Sequence, residues 1–417
     1  MMITDAVHST EDPCPGNDFN MRDDRCHGRV LVFAPGYPSE ADPVSYVFHR
    51  TACEAMRRAG AELRVLAPVA WTPFLLTKLS ERWNRSARMP RREVVAGVAI
   101  ERPRYFQIPR GDILGWPHPQ FARLLRRALS PSDALIHAHF AYPCGLAAVR
   151  VAVQRRIPCV VTLHGSDVNR YPNISRRCGR RFLETVRGAD ALLAVSEALA
   201  AKTQELCGRR PIVIPIGIDL AKFSAREDTA SARRALGLPL DAFIVLYIGF
   251  LYRAKGVLEL VAATDALRAD GVVCVFVGDG PLRGEVAGKP GCLWQGFQPN
   301  ETVVRYLAAA DVAVLPSYSE GMPTALVEAG AMGTPVIASR VGGIPELLGD
   351  DRGLLIEPGS VAAIVDAIQT ARRHPLDMRR RSQRLHRYVA EHYDAVQNAR
   401  RQLEIYRSVI ERFRKVP

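Results

Sequence analysis

The chain has 417 residues, 48% hydrophobic and 24% charged, which is typical of a soluble globular protein with room for two domains. No apolar run approaches the roughly 18 residues that a membrane-spanning helix needs, so a membrane-spanning class is disfavoured. The net charge is +13, and residues 28–220 hold 29 Lys and Arg against 15 Asp and Glu. Such basicity suits a nucleic acid, an anionic membrane surface, an anionic substrate or no partner at all.

The N-terminal residues and the cysteines indicate the compartment. Residues 1–27 have no apolar core, so we expect a flexible leader rather than a signal peptide. The nine cysteines form no C-x-x-C pair, which favours reduced thiols and a cytoplasmic protein. His137-Ala-His139 is the nearest approach to metal-ligand spacing. Local packing or hydrogen bonding explains these histidines better, and we expect no metal site.

The first half of the chain alternates strand-like apolar runs with helix-period segments. The apolar runs are Val30–Phe33, Leu63–Leu66, Ala134–Ile136, Cys159–Thr162, Ala191–Val195 and Ile212–Ile214. Helix-period segments lie between them, for example Tyr46–Ala59 and Ser175–Arg187. Alternating strands and helices predict a parallel sheet wrapped by helices, which we assign to an N-terminal domain of residues 28–220.

A second alternating series follows a turn-rich, charged stretch that begins at Pro215. Its apolar runs are Phe243–Ile248, Val272–Val277, Val312–Leu315, Val336–Ala338 and Gly353–Ile356. We assign residues 221–395 to a C-terminal domain and residues 396–417 to a helix that crosses back to the first domain. The predicted fold class is therefore α/β, with two doubly wound, Rossmann-like domains that face each other across a cleft.

Ligands of such sheets bind beyond the carboxyl ends of the strands. Five candidate loops begin there: Pro35–Pro38, His164–Asp167, Gly249–Gly256, Gly278–Gly280 and the loop that contains Glu320. Loops from five separate parts of the sequence thus converge on one predicted cleft, which favours a binding site in it.

The most informative loop carries Glu320 and, eight residues later, Glu328. The apolar runs before and after them predict a strand, a loop, a helix and a strand. A helix N-terminus attracts phosphate oxygens and carboxylates accept hydrogen bonds from sugar hydroxyls, so the segment suits a phosphorylated sugar. On spacing alone, a surface glutamate followed by an ordinary helical glutamate explains the pattern as well.

The other candidate side chains are cations and a histidine. Arg253 and Lys255 precede a predicted helix, Val257–Ala269, and could neutralise a diphosphate or simply be solvated. His164, with Asp167 three residues on, could hydrogen-bond a substrate hydroxyl or be structural. The sequence lacks the G-x-S-x-G pattern of a hydrolase at this point and the P-loop pattern of an NTPase.

Further motifs place these residues in a known pattern. They are Gly278–Leu282, Gly296-Phe297, Ala309–Asp311, Pro316-Ser317, Gly333–Val336 and Gly342–Glu346 in the second half, and His137–Gly145 and Thr162–Val168 in the first. With the glutamate pair, which resembles an E-x7-E signature, the chain resembles family 4 glycosyltransferases with the GT-B fold. The resemblance covers residues 29–395 and is strongest to the bacterial cell-surface polysaccharide branch that includes teichuronic acid glycosyltransferases.

The resemblance implies a retaining transfer from a nucleotide-sugar, with no cofactor and no required metal. Glu320 and His164 would contact the donor sugar at the catalytic centre, and Glu328 would bind the ribose hydroxyls. The other implied donor-binding residues are Arg253, Lys255, Gly278, Phe297, Gln298, Gly321, Met322, Pro323 and Thr324. Gly36, Tyr37 and Asp167 are the expected acceptor-side residues. The arginine usual in the family at position 250 is Phe250 here, and Arg253 is the candidate to replace it.

The basic first half suggests where the enzyme works. Trp71–Trp83 combines aromatic residues and leucines with cations, as interfacial segments do. We expect peripheral binding to the inner face of the plasma membrane, where a lipid-linked or polysaccharide acceptor would be found, although a loop that covers the core explains the segment nearly as well. No nucleic-acid recognition module appears. A sugar-nucleotide epimerase and an inactive nucleotide-sugar sensor are the competing hypotheses.

Overall fold

The structure is a computed structural model that describes residues 28–71, 81–108, 114, 116–223 and 227–415. The predicted leader, residues 1–27, and most of the segment Trp71–Trp83 lie outside the described residues.

The first half of the chain forms an eight-stranded sheet. Its strands are β1 (Arg29–Phe33), β2 (Leu63–Leu66), β4 (Arg92–Val95), β5 (Val98–Glu101), β7 (Asp133–His139), β8 (Cys159–Leu163), β9 (Ala191–Ala194) and β10 (Ile212–Val213). The order across the sheet is β10-β9-β8-β7-β1-β2-β5-β4, parallel except for the pairing of β4 with β5. A two-residue parallel pairing joins β3 (Val69–Ala70) to β6 (Arg104–Tyr105).

Helices cover this sheet because its central strands are apolar on both faces, as parallel strands are when they are buried. These helices are α1 (Val47–Arg58), α2 (Glu81–Arg88), α3 (Pro117–Ala128), α4 (Leu146–Arg155), α5 (Ser166–Asn169), α6 (Arg176–Gly188) and α7 (Glu197–Cys207). Ser175 and Ser196 cap α6 and α7, and each hydroxyl accepts a hydrogen bond from the third residue on, which satisfies one free N–H of the first turn.

The second half forms a six-stranded parallel sheet. Its strands are β11 (Phe243–Ile248), β12 (Val272–Val277), β13 (Cys292–Gly296), β14 (Val312–Leu315), β15 (Val336–Ser339) and β16 (Leu354–Ile356). Their order is β13-β12-β11-β14-β15-β16. The helices are α8 (Thr229–Leu236), α9 (Val257–Ala266), α10 (Arg283–Val286), α11 (Asn300–Ala309), α12 (Thr324–Met332), α13 (Ile344–Leu348), α14 (Val361–Arg373), α15 (Pro375–His392) and α16 (Ala395–Lys415).

The last helix, α16, returns to the first domain and packs on α1 and the first sheet. Leu403 and Tyr406 are buried in one apolar cluster with Val30 and Val65 of that sheet. Where α16 begins, the chain runs beside the linker between the domains: the Ile218 N–H donates to the Tyr393 carbonyl at 2.8 Å. The two crossings between the domains are therefore held side by side.

The predicted strands are all present, and the strands of the two large sheets that were missed by sequence lie at or next to a sheet edge. The β4–β5 pairing was not predicted because Arg92–Val95 is charged and short, with alternate residues exposed. β13 was missed because Cys292–Gly296 is only partly apolar. Helix α9 ends at Ala266, before the predicted Ala269, because a short 3-10 turn begins at Arg268 and leads to Gly271. No helix in the described part of the chain has the length and apolarity to cross a membrane.

Candidate active site

A cleft of about 390 Å³ lies between the two sheets, at the carboxyl ends of their central strands. Both domains line it, and they meet backbone to backbone at its edge. A Cβ built on Gly165 would lie 2.9 Å from the Gly321 Cα, and a Cβ on Gly321 would overlap the His164 carbonyl oxygen. Glycine at both positions therefore allows the two domains to close on each other.

Lys255 and Glu320 form an ion pair in the wall of the cleft. The Lys255 Nζ donates to Glu320 Oε1 at 2.6 Å, and both residues line the cavity. Glu320 is buried, with 8% of its surface exposed, whereas Lys255 is partly exposed. A Lys ammonium has three donors, so it can hold Glu320 and still offer N–H groups to an anion in the cleft.

Glu320 is also positioned through its backbone. The Asn169 side-chain amide, from the N-terminal domain, donates to the Glu320 carbonyl at 3.2 Å. The next carbonyl, that of Gly321, accepts a hydrogen bond from the Gly343 N–H at 2.8 Å. The loop that carries the first glutamate is thus held from both domains.

The segment Gly321–Thr324 leads from this loop into helix α12. Pro323 occupies the cap position, Thr324 is the first helical residue and all four residues line the cleft. No side chain caps α12, and the first N–H groups of a helix have no partner within it. These N–H groups and the helix dipole make this end of α12 suitable for phosphate or hydroxyl oxygens.

Glu328 lies one turn further along α12 and also lines the cleft. Removal of its carboxyl group from water raises its pKa to about 7. The carboxyl group therefore titrates near neutral pH, and a ligand that hydrogen-bonds to the carboxylate would favour the ionised form.

The far end of the cleft carries three of the expected donor-binding residues. Phe297, Gln298 and Gly278 all line it. Phe250 packs edge-on against Phe297, with ring centroids 5.6 Å apart. Gly278 has φ of +138°, and a Cβ there would overlap the Gly249 carbonyl, so only glycine allows the two loops to approach this closely.

The structure does not place Arg253 in the cleft. Arg253 and Lys255 lie in one 3-10 turn, Arg253–Lys255, but only Lys255 lines the cavity. Arg253 is exposed and borders a separate shallow depression beside Glu259 and Tyr318. The structure therefore does not bring this candidate replacement for the family arginine to the cleft, because Arg253 and Lys255, two residues apart in a tight turn, point in different directions.

His164 lines the cleft opposite Glu320, and Asp167 holds its loop. The Asp167 carboxylate is buried and accepts hydrogen bonds from the N–H groups of Ala141, His164 and Gly165 at 2.9 to 3.1 Å. With these partners Asp167 acts on the loop rather than facing the cleft. Burial lowers the pKa of His164 well below its ordinary value, so the ring is neutral at physiological pH.

The other two expected acceptor-side residues also lie outside the cleft lining. Tyr37 is buried, with only 3% of its surface exposed, in the apolar cluster that contains Cys53. The Gly36 carbonyl accepts a hydrogen bond from the His49 ring. The wall on this side consists instead of Tyr46, Phe48 and Phe140, which sequence reasoning missed.

Two family models match the chain. The model described as Glycosyltransferase Family 4 matches residues 45–222, and the model described as Glycosyl transferases group 1 matches residues 242–373. The first covers most of the N-terminal domain and the second covers the loops of Lys255, Glu320 and Glu328.

Relatives and solved structures agree with these matches. The Bacillus subtilis protein TuaC, named as a teichuronic acid biosynthesis glycosyltransferase, is 37% identical over 91% of this chain and 98% of its own length. A D-inositol 3-phosphate glycosyltransferase of Thermobifida fusca is 32% identical over 55% of this chain and 59% of its own. The chain spans more than nine-tenths of the first relative and about three-fifths of the second.

Two solved structures share the architecture. Sucrose-phosphate synthase from Thermosynechococcus elongatus superposes with a TM-score of 0.76 at 23% identity, over 92% of this chain and all of that one. Anabaena HepE in complex with UDP-glucose superposes with a TM-score of 0.67 at 20% identity, over 92% of this chain and all of that one.

Two facing Rossmann-like sheets with a shared cleft are the GT-B fold of glycosyltransferases, as predicted. The chain belongs to glycosyltransferase family 4, and it is a transferase enzyme.

Proposed function

We propose that this enzyme transfers a sugar, with retention of anomeric configuration, from a nucleotide-sugar to a hydroxyl of a saccharide acceptor. The observation that carries the proposal is the Lys255–Glu320 ion pair beside the N-terminus of α12, across the cleft from His164. This arrangement combines a cation and free N–H groups for a diphosphate with a carboxylate for sugar hydroxyls.

The chemistry follows from where charge develops. As the bond between the anomeric carbon and the diphosphate breaks, negative charge grows on the leaving phosphate. Lys255 and the first N–H groups of α12 would stabilise that charge, as preorganised donors do in other enzymes. Glu320 would hold the donor sugar. The acceptor hydroxyl would attack on the face from which the phosphate leaves and pass its proton to that phosphate, so no side-chain base is needed.

The reaction is proposed to need no metal ion, because Lys255 and the helix N-terminus supply positive potential where a metal would otherwise be needed. The test is transfer in vitro with UDP-glucose as the first donor probe. We expect nucleoside diphosphate release that depends on acceptor and persists in EDTA, with a product of retained configuration by NMR. Interconversion of free donor without transfer would instead identify an epimerase, and donor binding without turnover would identify a sensor.

The pKa of Glu328 gives a pH prediction. If its carboxylate accepts hydrogen bonds from both ribose hydroxyls, donor binds the ionised form. With a pKa of about 7, the ionised fraction rises from about one-tenth at pH 6 to nine-tenths at pH 8, so the Kd for UDP-glucose should fall about tenfold over this range. Calorimetry at pH 6, 7 and 8 measures this Kd. Glu328→Gln cannot ionise and should give a flat profile, whereas equal slopes in both proteins would contradict the assignment.

The acceptor is proposed to be a lipid-linked or polysaccharide intermediate of cell-surface polysaccharide synthesis. The name of TuaC supports this, as does the aromatic wall of Tyr46, Phe48 and Phe140, since sugar rings pack well on aromatic faces. Mass spectrometry of polysaccharide intermediates from a strain that lacks the gene would identify the acceptor.

We also propose a cytoplasmic location with peripheral binding to an anionic membrane, supported by an exposed aromatic patch. Trp71, Phe106 and Trp116 are 52%, 49% and 42% exposed, with neighbouring ring centroids 6.4 and 6.2 Å apart. Arg88 and Arg91 are exposed. They lie near the patch because the Arg104 side chain, two residues before Phe106, donates hydrogen bonds to the Ala87 and Met89 carbonyls at the end of α2. Aromatic rings beside cations are typical of an interfacial surface.

Co-sedimentation with vesicles tests the patch. The double variant Phe106→Ser, Trp116→Ser should lose about 2 kcal/mol of binding to anionic vesicles, roughly a 30-fold change in partition, because two rings no longer enter the interface. Val153→Ser is the matched control, since Val153 is 74% exposed on α4, away from the patch. Wild-type binding should rise with anionic lipid and fall with salt. No binding to anionic vesicles would reject the proposal.

A further inference from the structure

The imidazole of His164, which is partly buried, is hydrogen-bonded to a buried histidine, His139. His139 ends β7 and pairs in register with Thr162 of β8, two residues before His164. This register brings His139 Nδ1 to 2.9 Å from His164 Nε2. His139 is buried, with 4% of its surface exposed. The active-site histidine therefore has a partner that comes from the neighbouring strand and not from its own loop.

Aromatic rings on several sides restrict both imidazoles. Phe140 stacks on His164 with centroids 4.5 Å apart, and Phe48 lies 5.1 Å from it. The His49 ring lies 4.4 Å from His139, and its Nδ1 is held by the Gly36 carbonyl at 2.9 Å. Rotation of either imidazole would break the hydrogen bond and move a packed ring.

Counting protons shows what the hydrogen bond decides. A neutral imidazole carries one N–H proton, so His139 and His164 together carry two, and the hydrogen bond between the rings uses one of them. If His139 donates, His164 carries its own proton on Nδ1 and that atom is a donor. If His164 donates, its Nδ1 is an acceptor. His164 Nδ1 is itself buried and has no hydrogen-bond partner in the described part of the chain. It is therefore the ring nitrogen that a bound sugar would satisfy, once the sugar fills the cleft beside it. Burial, which lowers the pKa of both rings, keeps them neutral.

A metal ion is the other ligand to consider, because one nitrogen from each of His49, His139 and His164 lies within 4.8 Å of the other two. A metal held by His139 Nδ1 and His164 Nε2 would use both lone pairs and place protons on His139 Nε2 and His164 Nδ1. Both atoms are buried, with no acceptor among the described residues. The hydrogen-bonded pair leaves only one such N–H, so it satisfies the buried groups better.

We propose that His139 is a positioning residue that holds the His164 imidazole in one orientation and one tautomer, so that His164 Nδ1 meets a hydroxyl of the donor sugar in a fixed hydrogen-bonding state. The proposal rests on the proposed function in one respect, since it takes His164 to contact the donor sugar. It adds a residue that touches no substrate and acts only through His164.

Two substitutions at position 139 separate hydrogen bonding from packing. His139→Asn keeps a polar atom near the position of Nδ1, whereas His139→Phe keeps a ring and removes the hydrogen bond. We expect His139→Phe to lower kcat/KM about 100-fold, as misplacement of a substrate-binding group does, and His139→Asn to stay within about fivefold of wild type. The control is His137→Asn. His137 is buried on the same strand, packs 4.3 Å from the His139 ring and bonds Thr162 and Tyr406 outside the cleft lining. Its loss should reduce stability and lower kcat much less than His139→Phe, because the hydrogen bond between His139 and His164 remains.

Binding measurements locate the effect. UDP lacks the sugar, so its Kd by calorimetry should be the same in wild type, His139→Asn and His139→Phe. The Kd of UDP-glucose should rise only in His139→Phe. Equal loss of UDP and UDP-glucose binding would show a general structural defect and overturn the proposal, as would equal activity of the Asn and Phe variants.

A measurement on the unliganded protein is independent of turnover. In protein with ¹⁵N-labelled histidine, the two ring nitrogens of His164 should give the distinct shifts of a single tautomer, and His139→Phe should move them toward averaged values. His139→Asn should restore the distinct pattern. An unchanged His164 spectrum in His139→Phe would refute the positioning role. If the distinct pattern is present but no sugar is transferred, the positioning role stands and the proposed function fails. Added Zn²⁺ should leave the wild-type pattern unchanged, and stoichiometric loss of it would show a metal site instead.

Discussion

Replacing Lys255 by methionine is expected to lower kcat about 1,000-fold. The leaving diphosphate would lose the one described cation of the Gly249–Gly256 loop that lines the cleft, and a single preorganised group of this kind contributes about 3–4 kcal/mol to the transition state. The substitution also leaves the buried Glu320 without its partner at 2.6 Å, which should reduce the free energy of unfolding by up to about 3 kcal/mol. Nucleoside diphosphate release and thermal denaturation measure the two effects.

The matched control is Arg253→Met, the same kind of change two residues earlier in the same turn. Arg253 is exposed and outside the cleft lining, so kcat should remain within about threefold of wild type, as for most surface substitutions. A loss similar to that of Lys255→Met would show that Arg253 reaches the donor during turnover. The double variant Lys255→Met, Glu320→Gln should recover stability but not activity, because it removes the unpaired charge and not the need for a cation.

Gly321→Ala is expected to lower kcat/KM about 100-fold by keeping the two domains apart. A Cβ at Gly321 would overlap the carbonyl oxygen of His164, which is backbone and cannot rotate away. The domains must separate to admit the methyl group, and a displacement of about 1 Å between catalytic groups can cost about 100-fold in rate. The effect should fall on catalysis more than on folding, since each domain keeps its own sheet and core.

Gly284→Ala is the control, because nothing in the described residues lies within 4 Å of a Cβ at Gly284. Small-angle scattering should show a larger radius of gyration for Gly321→Ala and an unchanged one for Gly284→Ala. Gly321→Ala with wild-type activity and dimensions would mean that the closed contact between Gly165 and Gly321 is not part of the catalytic state.

The fold and the donor side of the cleft were predictable from local pattern. Apolar runs marked the central strands because those strands are buried on both faces, and ligand loops follow strand ends in any parallel sheet. Lys255, Glu320 and Glu328 could therefore be placed in the cleft from their distance to a strand end. Their catalytic and binding roles stay predictions.

The rest depends on side-chain direction and on contacts between distant parts of the chain. Loop position alone could not show that Arg253 turns away from Lys255, or that Tyr37 enters the core. Asn169 meets Glu320 across 151 residues, and His137 meets Tyr406 across 269. The sequence showed His139 only as the second histidine of His137-Ala-His139. Its bond to His164 depends on strand register, which no local motif specifies.

The return of α16 to the first domain has a consequence for biosynthesis. Leu403, Tyr406 and Ile410 complete the apolar cluster against β1 and β2, yet they are translated only after the whole C-terminal domain. The N-terminal domain therefore stays incomplete, with part of its sheet uncovered, while the whole C-terminal domain is translated and begins to fold. During synthesis the N-terminal domain usually folds first, but here its last step of folding follows that of the C-terminal domain. A ribosome stalled before position 395 would therefore hold an aggregation-prone first domain beside a nearly complete second one.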